Sequence, residues 1–365
     1  MKILYLSISA PDDFSSGGNQ RSNHIRNCLM AFADVDTFVL QQIGTTGITA
    51  DKHRGNVVSI VISASDGMWR KARYRFLAMR MIAAANRANE YDFIVARYFR
   101  NAMLVPPSAY RKLVVDGDDL RQSGANRSLS RRVFVRIRAA VIRLVTRRMF
   151  HVWLVDPRDR VAVPGARVSM LPNTARRAVL AASPPAKAGK RILMVGMYAY
   201  PPNEEGLVWF ARRILPHIAN LFPDVELHAI GQYYKQELNE LGEAVTMRGF
   251  VDDLAEEYRR ADVVICPITS GSGTQIKVVE ALMNGRPAVV SDFSYQGFSD
   301  VLMPDDHLLV ARDEEEWVRH ITAVLREPAR FAAMATAGRE AAERAYSLQT
   351  FFEKVSITFQ PPSGE

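Results

Sequence analysis

Short runs of β-branched apolar residues alternate with helix-length segments along almost the whole chain, and this alternation is what most limits its fold. In the first half, the runs predict strands at 2–8, 35–40, 57–62, 93–96, 113–116, 152–155 and 168–171. In the second half, they predict strands at 192–195, 225–230, 245–247, 263–268, 288–291 and 308–310. Strands that alternate with helices indicate parallel sheets with helices on both faces. A length of 365 residues allows two such α/β domains.

The segment 266–292 carries the most informative pattern, since it is predicted to run from a strand through a glycine-rich loop and a helix to another strand. Ser272, Gly273 and Thr274 in the loop are small enough for a ligand to approach the backbone. The N-terminus of the following helix attracts anions such as phosphate. Lys277 and Glu280 are neighbours on one face of that helix. They suit a diphosphate and a ribose, respectively, or they form a surface ion pair without a ligand.

The residues 271–292, GSGTQIKVVEALMNGRPAVVSD, resemble the donor-binding segment of the group-one family of retaining glycosyltransferases. Glu280 matches the family's ribose-binding glutamate, whereas Ser272 stands where many members have a first glutamate. The sequence is similar to the subgroup with a Gly-x-Gly-Thr-x-x-Lys-x-x-Glu-Ala pattern. The resemblance implies a GT-B fold, in which two doubly wound Rossmann-like domains face each other across a cleft. It also implies a nucleotide-sugar donor as substrate, here a UDP- or GDP-sugar. The seven histidines are scattered and no His/Asp/Glu cluster has the spacing of metal ligands, so neither a metal nor a cofactor is predicted.

Two further turns are similar to turns of that family. Gly17 and Gly18 match the Gly-Gly turn that the family places against the donor diphosphate. Gly249, Phe250 and Val251 match the turn whose backbone holds the nucleobase. The family fold implies an N-terminal domain over 1–180, a linker near 181–190, a nucleotide-sugar domain over 188–345, and a tail helix over 346–365 that returns to the first domain.

Three polar side chains of the first half are additional candidates. Asp118 and Asp119 follow the predicted strand 113–116, where carboxylates orient a sugar acceptor, act as a base, or merely cap the next helix. Arg21 either reaches the donor diphosphate or is an exposed arginine on a helix face. In the commonest form of the family, an arginine and a lysine after the first strand of the second domain bind the donor diphosphate, and both are absent here. Lys277, Arg21 and the helix N-termini are then the remaining candidates to balance the negative charge of the diphosphate.

The positive charge of the chain is concentrated in its first half. The net charge is +8, and residues 68–150 contain 19 Arg or Lys against 5 Asp or Glu. Within the helix predicted for 127–150, we expect a core-facing stripe and an opposite basic face; the stripe is Phe134, Ile137, Val141 and Leu144, and the face is Arg132, Arg136, Arg143 and Arg147. Together with the basic cluster at 70–75, this face predicts attachment to an anionic membrane. Few aromatic residues interrupt the basic helices, which disfavours nucleic acid.

These observations favour a cytoplasmic enzyme attached peripherally to the inner face of the plasma membrane. Two cysteines in apolar surroundings, Cys28 and Cys266, are typical of a reducing compartment. The resemblance implies transfer of a sugar, with retention, to a lipid-linked or polysaccharide acceptor in bacterial surface or exopolysaccharide assembly. The alternatives are a GT-B nucleotide-sugar epimerase or hydrolase, and a non-catalytic protein that binds sugar nucleotides.

Overall fold

The chain forms two compact units. The computed structural model describes residues 1–13, 17–41, 47–51, 57–61, 67–118, 120, 129–175, 190–271 and 274–360. The first unit comprises Met1–Asn173 with Leu348–Glu365, and the second comprises Thr174–Ser347. Within these described residues, no helix is both long enough and apolar enough to cross a membrane.

The strands of the described residues follow the predicted runs closely. They are β1 (Lys2–Ser7), β2 (Asp34–Gln41), β3 (Gly47–Asp51), β4 (Val57–Val61), β5 (Phe93–Arg97), β6 (Leu113–Asp116), β7 (His151–Leu154), β8 (Val168–Met170), β9 (Lys190–Val195), β10 (Val225–Ile230), β11 (Val245–Arg248), β12 (Val263–Cys266), β13 (Ala288–Ser291) and β14 (Leu309–Ala311). Only β3 was not predicted, because its sequence GITAD lacks a β-branched apolar run.

The helices between these strands also lie close to their predicted places. They are α1 (Gly17–Met30), α2 (Met68–Asn89), α3 (Phe99–Ala102), α4 (Leu129–Thr146), α5 (Pro201–Arg213), α6 (Leu215–Ala219), α7 (Leu254–Arg260), α8 (Ile276–Met283), α9 (Asp292–Tyr295), α10 (Glu314–Arg326), α11 (Pro328–Tyr346) and α12 (Leu348–Ile357). The chain is divided into α5 and α6 at Ile214, just before Pro216, whose ring cannot sit in a helix interior.

The first unit is built on an eight-stranded sheet in the order β3-β4-β2-β1-β5-β6-β7-β8. Its strand pairs are parallel except for β3, which is antiparallel to β4 at the edge. One face of the sheet packs against α1 and α12, through residues such as Ile25 and Phe351. The other face packs against α2 and α4, through Ala78, Ile82 and Ile142. The outer sides of α2 and α4 therefore belong to the same side of this unit.

One expectation for α4 is wrong. The stripe Phe134, Ile137, Val141 and Leu144 was expected to face the core, but the side chains of Ile137, Val141 and Leu144 are exposed. The side chains of Phe134 and of Arg132 on the basic face lie outside the described ones. The side of the helix that is buried carries Ile142 and Thr146 instead. Periodicity identified an apolar stripe correctly but did not reveal what covers it.

The second unit is built on a six-stranded parallel sheet in the order β11-β10-β9-β12-β13-β14. The chain leaves β9 toward β10 on one side and leaves β12 toward β13 on the other. The loops that follow β9 and β12 therefore diverge at the centre of the sheet. In open α/β sheets, ligands bind in the crevice formed at such a switch point, outside the carboxyl ends of the strands.

Candidate functional site

Lys277 lies in the first turn of α8, next to this switch point. Its side chain is buried, with 8% of its surface exposed, and its ammonium group donates a hydrogen bond of 2.5 Å to Oδ1 of Asn203 in α5. The amide nitrogen of Asn203 in turn donates to the carbonyl oxygen of Met197, at 2.9 Å. Asn203 is not the cap of its helix, since Tyr200 occupies the N-cap position of α5. Asn203 instead orients the lysine.

Burial sets the chemistry of Lys277. It lowers the pKa of the ammonium group, and the neighbouring Cys266 and Glu280 oppose this effect. In the described part of the chain, no carboxylate lies within 4 Å of Nζ. A buried cation that is held by a neutral amide is poised to gain free energy when an anion enters the crevice.

Glu280 lies one helical turn further along α8 and is half-buried. Its Oε2 atom accepts a hydrogen bond of 3.0 Å from the hydroxyl group of Tyr258 in α7. The ring of Tyr258 is part of the core, and 1% of the residue is exposed. Lys277 and Glu280, which were singled out from the sequence, are thus each held by a side chain from a different helix.

Glycines at the ends of three neighbouring strands bring the backbone close together beside this pair. A Cβ atom on Gly196 would lie 2.9 Å from the amide nitrogen of Asn203 and 3.2 Å from Nζ of Lys277. Gly231 has a φ of +133°, and a Cβ atom there would lie 1.9 Å from the carbonyl oxygen of Gly196. Its N–H group donates to the carbonyl oxygen of Gly249, at 2.8 Å. A side chain at Gly196 would displace the lysine or its amide partner, and one at Gly231 would collide with the backbone of Gly196.

The predicted nucleobase turn lies at the carboxyl end of β11. Gly249 follows the strand, Phe250 is 73% exposed, and Val251 packs partly against the core. Thr274 is buried just before α8. Ser272 and Gly273, which were also predicted to contact the donor, lie outside the described residues, and so does Asp119.

In the first unit, Gly17 and Gly18 form the start of α1 instead of the loop in which they were expected. Their N–H groups belong to the first turn of a helix, where the backbone donors have no intrahelical partner. The side chain of Asp118 is 18% exposed. Its Oδ2 atom accepts a hydrogen bond of 2.9 Å from Nη2 of Arg97, whose side chain is fully buried. The next described helix, α4, begins at Leu129, so Asp118 does not cap it.

Both interpretations of Arg21 are wrong, because this residue is neither exposed nor available to a diphosphate. Its guanidinium group forms a bidentate pair with Asp116, with Nη2–Oδ1 and Nε–Oδ2 distances of 2.7 and 2.9 Å. The remaining N–H groups donate to the carbonyl oxygens of residues 171 and 172 and to the side-chain oxygen of Asn173. All five donors are used. Burial would raise the pKa of Asp116, but Arg21 and Arg97 outweigh burial and keep that pKa below its usual value.

Three features of the candidate site were not predicted from the sequence: Tyr258, Gly231 and the contact by which Asn203 orients Lys277. Gly231 could have been predicted, because it directly follows a predicted strand and the ends of such strands face the ligand crevice. Nothing in the local sequence singled out Tyr258. Within the described residues, no group of three or more His, Cys, Asp or Glu is arranged to hold a metal ion.

The comparisons with known proteins agree with this architecture. Residues 189–327, which lie within the second unit, match the family described as glycosyl transferases group 1. Phosphatidyl-myo-inositol mannosyltransferase from Mycobacterium leprae is 31% identical over 195 residues, which are 51% of this chain and 50% of that protein. The chain spans half or less of the length of the curated relatives it matches.

Solved structures extend the likeness in fold to almost the whole chain. Sucrose-phosphate synthase from Thermosynechococcus elongatus has a TM-score of 0.74 at 16% identity, and the match covers 98% of each chain. HepE from Anabaena, in complex with UDP and glucose, has a TM-score of 0.69 at 15% identity over 98% of this chain and 99% of that one. The fold class is therefore GT-B, as the resemblance implied. The likeness to the group 1 glycosyl transferases covers residues 189–327, within the second unit.

Proposed function

We propose that this protein transfers a sugar, with retention, from a UDP- or GDP-sugar to a lipid-linked or polysaccharide acceptor. The observation that carries the proposal is the pairing of Lys277 and Glu280 on one face of α8, at the switch point of the sheet. An ammonium group and a carboxylate three residues apart match a nucleoside diphosphate, which presents negative phosphates and ribose hydroxyls. The relatives support this choice, since one is called a mannosyltransferase of a phosphatidylinositol and another was solved with UDP and glucose.

In this reaction the bond between the anomeric carbon and the diphosphate oxygen breaks, and the acceptor oxygen bonds to the same carbon and loses its proton. Negative charge grows on the departing diphosphate. Lys277 and the amides at the start of α8 stabilise that charge. Glu280 accepts hydrogen bonds from the ribose hydroxyls. The turn 249–251 holds the nucleobase. We assign the acceptor side to Asp118, whose carboxylate is oriented by Arg97.

The outer sides of α2 and α4 support attachment to an anionic membrane on the cytoplasmic side. In α2 only Ala78 and Ile82 are buried, and Trp69 is 84% exposed. Other exposed apolar side chains on the two helices are Met68, Phe76, Leu77, Met79, Ile137, Val141 and Leu144. Exposed arginines lie on or next to the same helices, namely Arg70, Arg73, Arg75, Arg80, Arg87, Arg136, Arg143 and Arg147. Each arginine near an anionic lipid surface contributes about 1 kcal/mol of binding free energy, and apolar side chains add to it when they enter the acyl region.

A thermal-shift panel of UDP-, GDP- and ADP-sugars tests the donor assignment. A ligand at about 100 times its Kd stabilises the folded state by about 2.7 kcal/mol. In a unit of this size, that corresponds to a rise in Tm of roughly 5–10 °C. The Lys277→Met/Glu280→Ala double variant should lose the shift. An unchanged Tm for the wild-type protein with every nucleotide would contradict the proposal.

A labelled sugar on the stabilising nucleotide then distinguishes transfer from the alternative reactions. Label that enters lipid-extractable or polymeric material of a bacterial membrane fraction indicates transfer. Free labelled sugar indicates a hydrolase, an altered sugar nucleotide indicates an epimerase, and binding without turnover indicates a non-catalytic protein.

Sedimentation with liposomes tests the membrane assignment. We expect the binding of the wild-type protein to rise with the content of anionic lipid and to fall with salt. The double variant Arg73→Glu/Arg143→Glu should show the same trends but bind more weakly. The Trp69→Ser/Phe76→Ser variant should lose the part of the binding that survives high salt. Equal binding of wild type to neutral and anionic vesicles, or no binding to either, would contradict the assignment.

A further inference from the structure

The hydroxyl group of Tyr258 is the part of this residue that core packing does not explain. Its ring fills space in the core of the second unit, which a phenylalanine would fill equally well. The hydroxyl group points to Oε2 of Glu280 at 3.0 Å, and the carbonyl oxygen of Lys277 is more distant at 3.5 Å. Buried tyrosine hydroxyl groups usually find a partner, and here the nearer partner is the carboxylate that the proposed function assigns to the donor ribose.

The direction of this hydrogen bond is fixed. Burial, the negative charge of Glu280 and the hydrogen bond to it raise the pKa of Tyr258 well above its usual value. The phenol therefore stays protonated and donates to the carboxylate. A carboxylate has about four lone-pair positions on its two oxygens, and the tyrosine occupies one of them. The hydrogen bond fixes the rotation of the carboxylate about its terminal bond, which is otherwise broadly distributed.

We propose that Tyr258 is a positioning residue that holds the Glu280 carboxylate in the orientation required by the ribose hydroxyls, and so sets the preference for ribonucleotides over 2′-deoxyribonucleotides. This inference rests on the proposed function. A ribose offers a vicinal pair of hydroxyl groups, and a carboxylate accepts from both only in a narrow range of orientations. Without the hydrogen bond from Tyr258, the carboxylate is held less firmly in this orientation, and the contribution of the 2′-hydroxyl group falls.

The test is Tyr258→Phe, with UDP, GDP and their 2′-deoxy analogues as probes in calorimetry. We expect the affinity for the preferred ribonucleotide to fall about threefold to tenfold, because the hydrogen bonds from the ribose to the carboxylate are weakened and not removed. The affinity for the 2′-deoxy analogue should change less, so the ratio of the two affinities moves toward one. A purely structural role would weaken both ligands equally and leave this ratio unchanged.

Tyr198→Phe is the matched control. Tyr198 is equally buried in the same core, but its hydroxyl group donates to the carbonyl oxygen of Met194, at 2.9 Å. This variant should keep the wild-type ratio. A second measurement combines Tyr258→Phe with Glu280→Gln, since two residues that act through one carboxylate give non-additive losses.

The outcomes separate this inference from the proposed function. If the wild-type protein binds UDP or GDP but Tyr258→Phe keeps the wild-type ratio, or if its effect adds to that of Glu280→Gln, the positioning role is overturned while the nucleotide site stands. If the wild-type protein binds neither nucleotide, both are overturned. A ratio that falls in Tyr258→Phe and not in Tyr198→Phe supports the inference.

Discussion

Replacing Lys277 with methionine should weaken nucleotide binding. It should also remove a rise with pH in the free energy of unfolding of the unliganded protein. Methionine has a similar length and no charge, so the crevice keeps its shape. A hydrogen bond between a cation and a phosphate contributes about 1.5–3 kcal/mol. We therefore expect the affinity for UDP or GDP to fall roughly tenfold to 150-fold. Calorimetry on wild type and Lys277→Met measures this difference directly.

The stability of the unliganded protein should respond through the lowered pKa of Lys277. Between that pKa and the unfolded value of about 10.4, the unfolded state binds more protons than the folded state. The free energy of unfolding then rises with pH, by up to about 1.4 kcal/mol per pH unit for one group. Below the folded pKa, both states are protonated and the full burial cost remains. Lys277→Met should remove this rise, which denaturation at a series of pH values measures.

Lys354→Met is the control for that experiment. Burial lowers the pKa of Lys354 as well, but this lysine lies in α12 of the first unit. Its replacement should also flatten the dependence of stability on pH, yet leave the nucleotide affinity unchanged. If Lys277→Met binds UDP and GDP as tightly as wild type, the lysine does not contact the diphosphate and the reasoning is refuted.

Two further predictions concern the first unit. Gly18→Leu places a bulky side chain in the first turn of α1, so turnover should fall more than donor affinity; full turnover in steady-state kinetics would contradict a role for this turn. Arg21→Met breaks a buried ion pair and should lower the free energy of unfolding by about 3–5 kcal/mol. Because the pKa of Asp116 is held low, the stability from this pair is present above about pH 4 and is lost as the pH falls through the folded pKa. A denaturation midpoint of Arg21→Met equal to that of wild type would show that the pair does not stabilise the fold.

The strands were predictable because a parallel strand buried on both faces needs a run of apolar residues, which is a local signal. The edge strand β3 has no such run, because an edge strand contacts fewer neighbours. The pairing of Lys277 with Glu280 was also predictable, since residues three apart on a helix share a face. These are properties of short segments.

Partners from distant parts of the chain were not predictable. Arg21 pairs with Asp116, 95 residues away, and Glu280 is held by Tyr258, 22 residues away on another helix. Sequence periodicity does not show which of several core tyrosines contacts α8. Likewise, the exposed stripe of α4 has the same pattern as a buried one. The supporting side chains of a site thus depend on the tertiary structure more than its ligand-binding residues do.

The central claim is that Glu280 holds the ribose of a nucleotide-sugar donor, and calorimetry of Glu280→Ala with UDP and GDP tests it most directly. Glu226→Ala, which removes an exposed carboxylate from the same unit, is the control and should bind as wild type does. We expect a folded Glu280→Ala protein to lose about 1.5–3 kcal/mol of binding free energy for the nucleotide that wild type prefers. Unchanged affinity in that variant would show that Glu280 does not hold the ribose.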